Sequence, residues 1–421
     1  MKPLIIAFCL LFMSISSVSA QVYNPSWGKK RHRFAQLELG ISQTMTPNAG
    51  KTQVIASDGS VRDYQFGTAN TTAFYIGGTH FWGHADFAVS IPLYRNGNGM
   101  KYGAELLAKY YPIAIESNKL RPYVGVSMAP FGHSQNDGGS VSRTYYPLLA
   151  GLNYSSRKHQ FELGLTYNYD KKFDYFISRT VIGKAELPTL MFNATYKYTL
   201  ETTVGAERNW VNGKTKTTTD ALAKAKKLNA FSVAVGPSSA FNIGQSSYLK
   251  ENSPFLSKHG FKAFLDFGLG YYFYKPDIHL NLAYRANGGT EKGYGLTNKV
   301  QRKALTFEAY KFLGDYHGFL PFIGPNVSYE NLTVNEQDGT KTPVSGSFKG
   351  VKAGITFGWD IRPDDLQGWI LRTNLRWQPN LGVNMPDGKQ VRLDQLEFNF
   401  IQLVIYPERL WGKKLKVNSD L

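Results

Sequence analysis

Few residues in this chain are spaced for chemistry. His80 and His84 stand four apart in Thr79-His80-Phe81-Trp82-Gly83-His84. On a strand that separation is on the order of 13 Å, too far for two rings to share a metal, so the segment reads as a turn with histidines at an interface. His133-Ser134-Gln135-Asn136-Asp137 carries the residue types of a hydrolase, with a nucleophile, a base and an acid. Contiguous loop residues seldom bring a base within hydrogen-bond reach of a nucleophile, so a polar loop is expected there. Asp364-Asp365 sits between Arg362 and Gly368 and reads as turn chemistry, not as a general acid–base pair. Zinc spacings, a Walker loop and a G-x-S-x-G elbow are all missing from the sequence. An enzyme is therefore not expected, nor is any cofactor or metal.

The composition points to a different use of side chains. The 421 residues include 27 Phe, 26 Tyr, 7 Trp and 41 Gly, with 19% charged residues and a net charge of +17. That is too aromatic for a disordered chain and too polar for a bundle of membrane helices. Lys2, the apolar run Leu4 to Met13 and the small residues Val18-Ser19-Ala20 have the form of an export signal, so residues 1–20 are expected to be removed before Gln21. The lone cysteine, Cys9, falls inside that leader, and the exported chain would carry +16 with no thiol.

From there to the C-terminus the pattern alternates with period two. Leu37, Leu39 and Ile41 oppose Gln36, Glu38 and Ser42, while Phe161, Leu163, Leu165 and Tyr167 oppose Glu162, Gly164, Thr166 and Asn168. Ile278, Leu280, Leu282 and Tyr284 oppose His279, Asn281, Ala283 and Arg285. About sixteen such segments occur, near 34–45, 71–82, 84–94, 99–112, 120–131, 143–156, 159–170, 187–200, 230–243, 261–274, 278–287, 301–313, 319–334, 347–361, 368–379 and 394–407. Their length suits tilted strands that cross a bilayer. Connections alternate between tight turns, such as Gly83-His84 and Lys275-Pro276-Asp277, and long polar loops, such as 46–70 and 171–186. Transmembrane barrels show that alternation, with short turns on the periplasmic side. Tyr110, Tyr111, Tyr145, Tyr146, Trp369, Trp377 and Tyr406 near segment ends suit an aromatic girdle.

The expected fold is all-β: a transmembrane, antiparallel, up-and-down β-barrel of about sixteen strands, with 14–18 possible. Its expected divisions are a leader at 1–20, a basic periplasmic arm at 21–33, the barrel at 34–407 and a basic periplasmic tail at 408–421. A periplasmic insertion at 201–229, helix-forming over Asp220 to Leu228, interrupts the barrel.

If the polar faces line a lumen, its acids are Glu38, Asp86, Glu105, Glu162, Asp266, Glu308, Glu330, Asp360 and Glu397. Its bases are Lys101, Lys109, Arg121, Lys197, Lys262, Arg285, Lys352, Arg372 and Arg376, with His279 titratable. Nine against nine is a balanced wall, whereas a strongly ion-selective pore favours one sign. The excess charge lies on the inferred periplasmic face: Lys29, Lys30, Arg31 and Arg33 in the arm, Lys224, Lys226 and Lys227 in the insertion, and Lys413, Lys414 and Lys416 in the tail. Headgroup anchoring is expected of them, or docking to an acidic periplasmic partner or peptidoglycan. Nucleic acid is not an expected partner, because an exported barrel does not ordinarily meet it.

The leader, the alternation and the last strand, Leu396-Glu397-Phe398-Asn399-Phe400-Ile401-Gln402-Leu403-Val404-Ile405-Tyr406, resemble Gram-negative outer-membrane β-barrel proteins. That last strand is similar to the signal read by barrel-assembly machinery, although a basic tail follows it where a terminal Phe is usual. Arg121-Pro122-Tyr123-Val124-Gly125 and Leu320-Pro321-Phe322-Ile323-Gly324-Pro325 resemble strand starts of small outer-membrane barrels, notably those of Bacteroidetes. The resemblance implies outer-membrane lipid as surroundings. Three functions follow as expectations. The first is a porin-like channel for small polar solutes, which would diffuse past a constriction made by the balanced wall charges and an infolded loop, 238–260 or 171–186. The second is a non-transporting barrel that anchors or assembles partners, and the third, disfavoured, is a lipid-modifying enzyme.

Overall fold

The computed structural model describes residues 35–97, 101–134, 140–201, 220–242, 246–256, 262–314, 319–361 and 368–410. Sixteen antiparallel wall strands occupy the sixteen alternating segments. The first eight are β1 (Gln36–Thr46), β2 (Ala69–His80), β3 (Ala85–Asn96), β4 (Glu105–Tyr110), β5 (Lys119–Ser134), β6 (Leu148–Ser156), β7 (His159–Tyr167) and β8 (Leu190–Glu201). The second eight are β9 (Ala230–Asn242), β10 (Lys262–Phe273), β11 (Ile278–Gly293), β12 (Leu296–Phe312), β13 (Phe319–Asp338), β14 (Val344–Ile361), β15 (Trp369–Gln378) and β16 (Gln395–Ile405).

These strands do not close as a single ring across 34–407. Strand β8 returns to β1, with Leu200 opposite Leu37 and Tyr196 opposite Ile41. Strand β16 returns to β9, with Val404 opposite Ala234 and Glu397 opposite Ala240. The chain therefore holds two closed eight-stranded up-and-down barrels in tandem. The segment expected as a periplasmic insertion, 201–229, is the connection between them, and its part 202–219 lies outside the described residues. Helix occurs there over residues 220–224, within the span that the sequence marks as helix-forming. Loop parity could not separate the two closures, because eight and sixteen are both even and both put the chain ends on the short-turn side. Width does separate them: eight strands enclose room for side chains only, while sixteen leave an aqueous bore.

Alternation is followed closely in both walls. On β7, Phe161, Leu163 and Leu165 are exposed while Gln160, Glu162 and Thr166 are buried. On β12, Leu305 and Phe307 are exposed while Arg302, Ala304, Thr306, Glu308 and Tyr310 are buried. Apolar residues thus cover the outside and polar ones fill the inside, the reverse of a water-soluble barrel. Leu163 and Leu265 are 69% and 66% exposed, a large cost in water that a hydrocarbon surround removes. No helix among the described residues is long and apolar enough to cross a membrane.

Each barrel carries a cap at its long-loop end. Over the first, hairpins Lys51–Ile55/Val61–Gln65 and Lys172–Phe176/Ile182–Glu186 join through Ala185 opposite Thr52 into a four-stranded sheet. Its core gathers Phe66, Phe131, Tyr145, Phe173, Tyr175, Ile177 and Met191. Over the second, the extended ends of β11–β14 pack with hairpin Gly382–Asn384/Gln390–Arg392 and helix α1 (Ser247–Asn252). The caps touch: Arg179 donates to the Tyr294 carbonyl at 2.7 Å and pairs with Asp338 at 2.5 Å. At the turn end His80, Phe81 and Trp82 meet Phe319 and Trp359 across the barrels, with the His80 and Trp359 rings 5.6 Å apart.

Candidate functional site

The barrel interiors are where the polar faces converge. Down β8 of the first barrel the inward residues run Met191, Asn193, Thr195, Lys197, Thr199. Lys197, wholly buried, is the hub: its ammonium lies 2.8 Å from Glu38, 2.9 Å from Asp86 and 2.8 Å from Glu162. Three donors meet three carboxylates, which is the full capacity of a lysine. Lys109 joins Glu162 at 2.6 Å, the Tyr75 hydroxyl donates to Asp86 at 2.9 Å, and the Tyr111 hydroxyl donates to Glu162. Arg121 has no carboxylate partner among the described residues. It donates to the Gly83 carbonyl at 2.5 Å, Asn153 at 3.0 Å and Gln160 at 3.3 Å, and lies 3.8 Å over the Tyr111 ring.

Bulk completes the filling. Gly151 and Gly164 oppose each other on β6 and β7, and the Tyr123 ring occupies the space both leave. A Cβ on Gly151 would come within 2.7 Å of the ring carbon Cζ, and one on Gly164 would strike the hydroxyl. Gly83, at φ +86° in the turn after β2, brings its carbonyl to Arg121 in a conformation that side chains rarely adopt.

The second barrel is arranged as layers, which β12 shows in order: Val300, Arg302, Ala304, Thr306, Glu308, Tyr310, Phe312. Arg302 holds Glu330 with both arms of its fork, at 2.7 and 2.6 Å, and also reaches Glu397, Gln378 and Gln395. Arg285 pairs with Glu397 from the opposite side. One layer down, Arg376 bridges Glu308 and Asp266, and Asn281 donates to Glu308 at 2.7 Å. Below that, Arg372 grips Asp360 at 2.7 and 2.8 Å and donates to the Tyr310 hydroxyl.

Apolar layers lie above and below this stack. Val300, Leu332 and Val334 sit on the loop side of Arg302 and Glu330, under Tyr248, Leu381, Val383, Met385, Val391 and Leu393. Burial, then the Glu336 carboxylate, pushes the Tyr248 phenol up to about 12. On the turn side Tyr272, Tyr310, Phe312, Leu320, Phe322 and Tyr406 form an aromatic plug. Helix α2 (Pro407–Leu410) closes it, with Arg409 buried 4.3 Å over Tyr406 and bonded to the carbonyls of Lys227 and Leu228.

Most of the residues assigned to a lumen wall from the alternation stand inside one barrel or the other. Glu38, Lys109, Arg121, Glu162 and Lys197 are buried in the first barrel, and Glu105, half-buried, shares the phase of Lys109. Asp266, His279, Arg285, Glu308, Glu330, Asp360, Arg372 and Arg376 are buried in the second. They form two sets, so no single wall carries them all. The side chains of Lys101 and Lys262 lie outside the described residues, as do Lys29, Lys30, Arg31, Arg33, Lys413, Lys414, Lys416 and the side chains of His133 and Ser134. Lys224 and Lys226 are exposed at the turn end and Lys227 is half-buried. Loop 238–260 does not enter the bore in its described part: α1 packs on the cap hairpin instead.

Sequence reasoning missed Arg302, the most connected side chain of the second interior. Its flanks, Gln301 and Lys303, are polar too, so the alternation disappears there; stepping by twos from Glu308 would have reached it. It also missed the pair Ser232 and His279, whose Oγ and Nε2 lie 3.0 Å apart. That is nucleophile–base geometry, but both residues are buried between the aromatic plug and the arginine layers, and the His279 ring stacks on Tyr310 at 5.1 Å. No group of three or more metal-ligating side chains occurs among the described residues.

No family model and no curated protein matches the chain. Among solved structures it is similar to the Neisserial surface protein A (13% identity, 42% of this chain and 97% of that one, TM-score 0.27). It is also similar to the attachment invasion locus protein Ail of Yersinia pestis (8% identity, 42% and 96%, TM-score 0.25). A third is the outer membrane channel DcaP of Acinetobacter baumannii (8% identity, 88% and 97%, TM-score 0.14). The neighbours are outer-membrane β-barrel proteins, and none bears on the Bacteroidetes resemblance. Likeness at these scores carries no argument about activity; the barrel architecture rests on the strand pairing above.

Proposed function

We propose that this chain is a non-transporting tandem barrel of the Gram-negative outer membrane, an anchor that presents two capped heads outside and basic segments inside. One observation carries the reading: each interior is filled across its width by buried ion pairs and tyrosines, and the second is sealed at both ends by apolar layers. The apolar exterior and the loop parity support placement in a bilayer with the caps outward. A porin-like path for polar solutes needs a bore that eight filled strands do not provide. Lys224, Lys226 and Lys227, beside the connection between the barrels, suit an acidic periplasmic partner or peptidoglycan.

The test is single-channel recording of the refolded full chain in a planar bilayer. A flat trace, from protein shown by protease protection to be inserted, is the expected result. Steady ohmic conductance would sink the anchor reading and restore the channel.

A further inference from the structure

We infer that the outer face of β11–β14 holds a phosphorylated glycolipid of the outer leaflet, its phosphates gripped by Lys303, Lys349 and Lys299. The inference rests on the membrane placement proposed above and adds a specific lipid to it. Strand register aligns the outward residues in rows. Tyr284, Leu305, Tyr329 and Val351 form one row, and all four are exposed. The next row toward the caps is Ala286, Lys303, Asn331 and Lys349; then come Gly288, Gln301, Thr333 and Ser347, and then Thr290, Lys299, Asn335 and Ser345.

The apolar band therefore gives way, at a row with two tyrosines, to a rim of exposed lysines and neutral donors. Lys303 and Lys349 lie two strands apart, about 10 Å, and Lys299 stands on the order of 13 Å above Lys303. No carboxylate shares these four rows, and none of the three lysines has an ion-pair partner among the described residues. A single lysine at this height would be read as snorkelling to the interface. Three unneutralised ones on two strands, with amides and hydroxyls between them, suit a headgroup carrying more than one phosphate above acyl chains that lie on the apolar rows. Among the described residues the first barrel shows no such arrangement: near its loop end Lys51 and Lys171 are both engaged by Glu186, at 3.3 and 3.0 Å.

The experiment uses the full chain in nanodiscs of neutral phospholipid, with insertion checked first by protease protection. Bis-phosphorylated lipid A, its dephosphorylated form and phosphatidylglycerol are added in turn, and bound copies are counted by native mass spectrometry. Wild type should retain lipid A over both comparators. The variant K299Q/K303Q/K349Q, exposed positions that leave the interior intact, should bind it about 100-fold more weakly, at roughly a factor of five per lysine. The control K172Q/K184Q on the other cap should bind as wild type does. Equal retention of phosphatidylglycerol, or an unchanged triple variant, would overturn the glycolipid site and leave the membrane reading standing. Failure to insert would overturn both.

Discussion

The two barrels solve one problem with different side chains. Each has eight strands and a bore too narrow for water to fill, and each must neutralise the polar faces that its alternation turns inward. The first barrel does this around a point: one lysine, Lys197, holds Glu38, Asp86 and Glu162 together, while Tyr75, Tyr111 and Tyr123 supply bulk. The second does it by layers: four arginines bridge five carboxylates, and no single cation holds the whole interior. A compact ammonium suits a hub, whereas a planar fork suits a bridge between strands. The hub concentrates three carboxylates on one partner, so the first barrel should be the more fragile of the two.

The most severe test removes the hub. Lys197→Met leaves buried Glu38 and Asp86 without a cation among the described residues and Glu162 with Lys109 alone, and is expected to cost about 3–5 kcal/mol, the scale of a broken buried pair. The first barrel should then lose protease protection at a lower temperature while the second keeps it. Arg302→Met is the companion: Glu397 keeps Arg285, so a smaller loss is expected, confined to the second barrel. Equal losses, or a hub variant no weaker than wild type, would remove the distinction.

A smaller effect is expected from volume. Gly164→Ala should cost about 1–3 kcal/mol through overpacking against Tyr123, and Tyr123→Phe in the same chain should restore part of it by removing the struck hydroxyl. Purely additive losses in melting experiments would show that the glycine serves the backbone instead.

The weakest effect concerns what joins the two halves. The hydrogen bond from Arg179, then that from Lys341, holds the Asp338 carboxyl below its ordinary range. A depressed folded value means the contact contributes at and above the usual carboxylate range and fades only as pH falls through the lowered value. Cross-linking efficiency between cysteines placed on the two caps should therefore stay level from pH 7 to pH 5 and drop in Arg179→Gln at every pH. A fall in wild type already at pH 5 would count against this bond as the link.

Much of the fold was legible. The sixteen segments and the face of each strand follow from period two, which is written locally: Glu162 between Phe161 and Leu163 must oppose them wherever the strand pairs. The nine-against-nine balance already argued against a strongly ion-selective pore. Strand closure was not legible, because Leu37 pairs with Leu200 through a contact that no neighbouring residue encodes. The insertion at 201–229 broke the short-turn rule after the eighth segment, and that was the available signal. Arg302 was lost for a local reason, since its polar neighbours stand above the apolar band.

What the amino-acid order determined by itself was therefore one-dimensional: strands, their two faces, their lengths and the side on which long loops fall. Backbone pleating imposes these on any alternating segment. What only tertiary structure decided was which strand closes on which, and with it the width of the interior. Eight strands bring Lys197 within 3 Å of carboxylates from three other strands, where a ring of sixteen would have left them apart around water. The same polar residues that could have lined a channel therefore fill two sealed barrels.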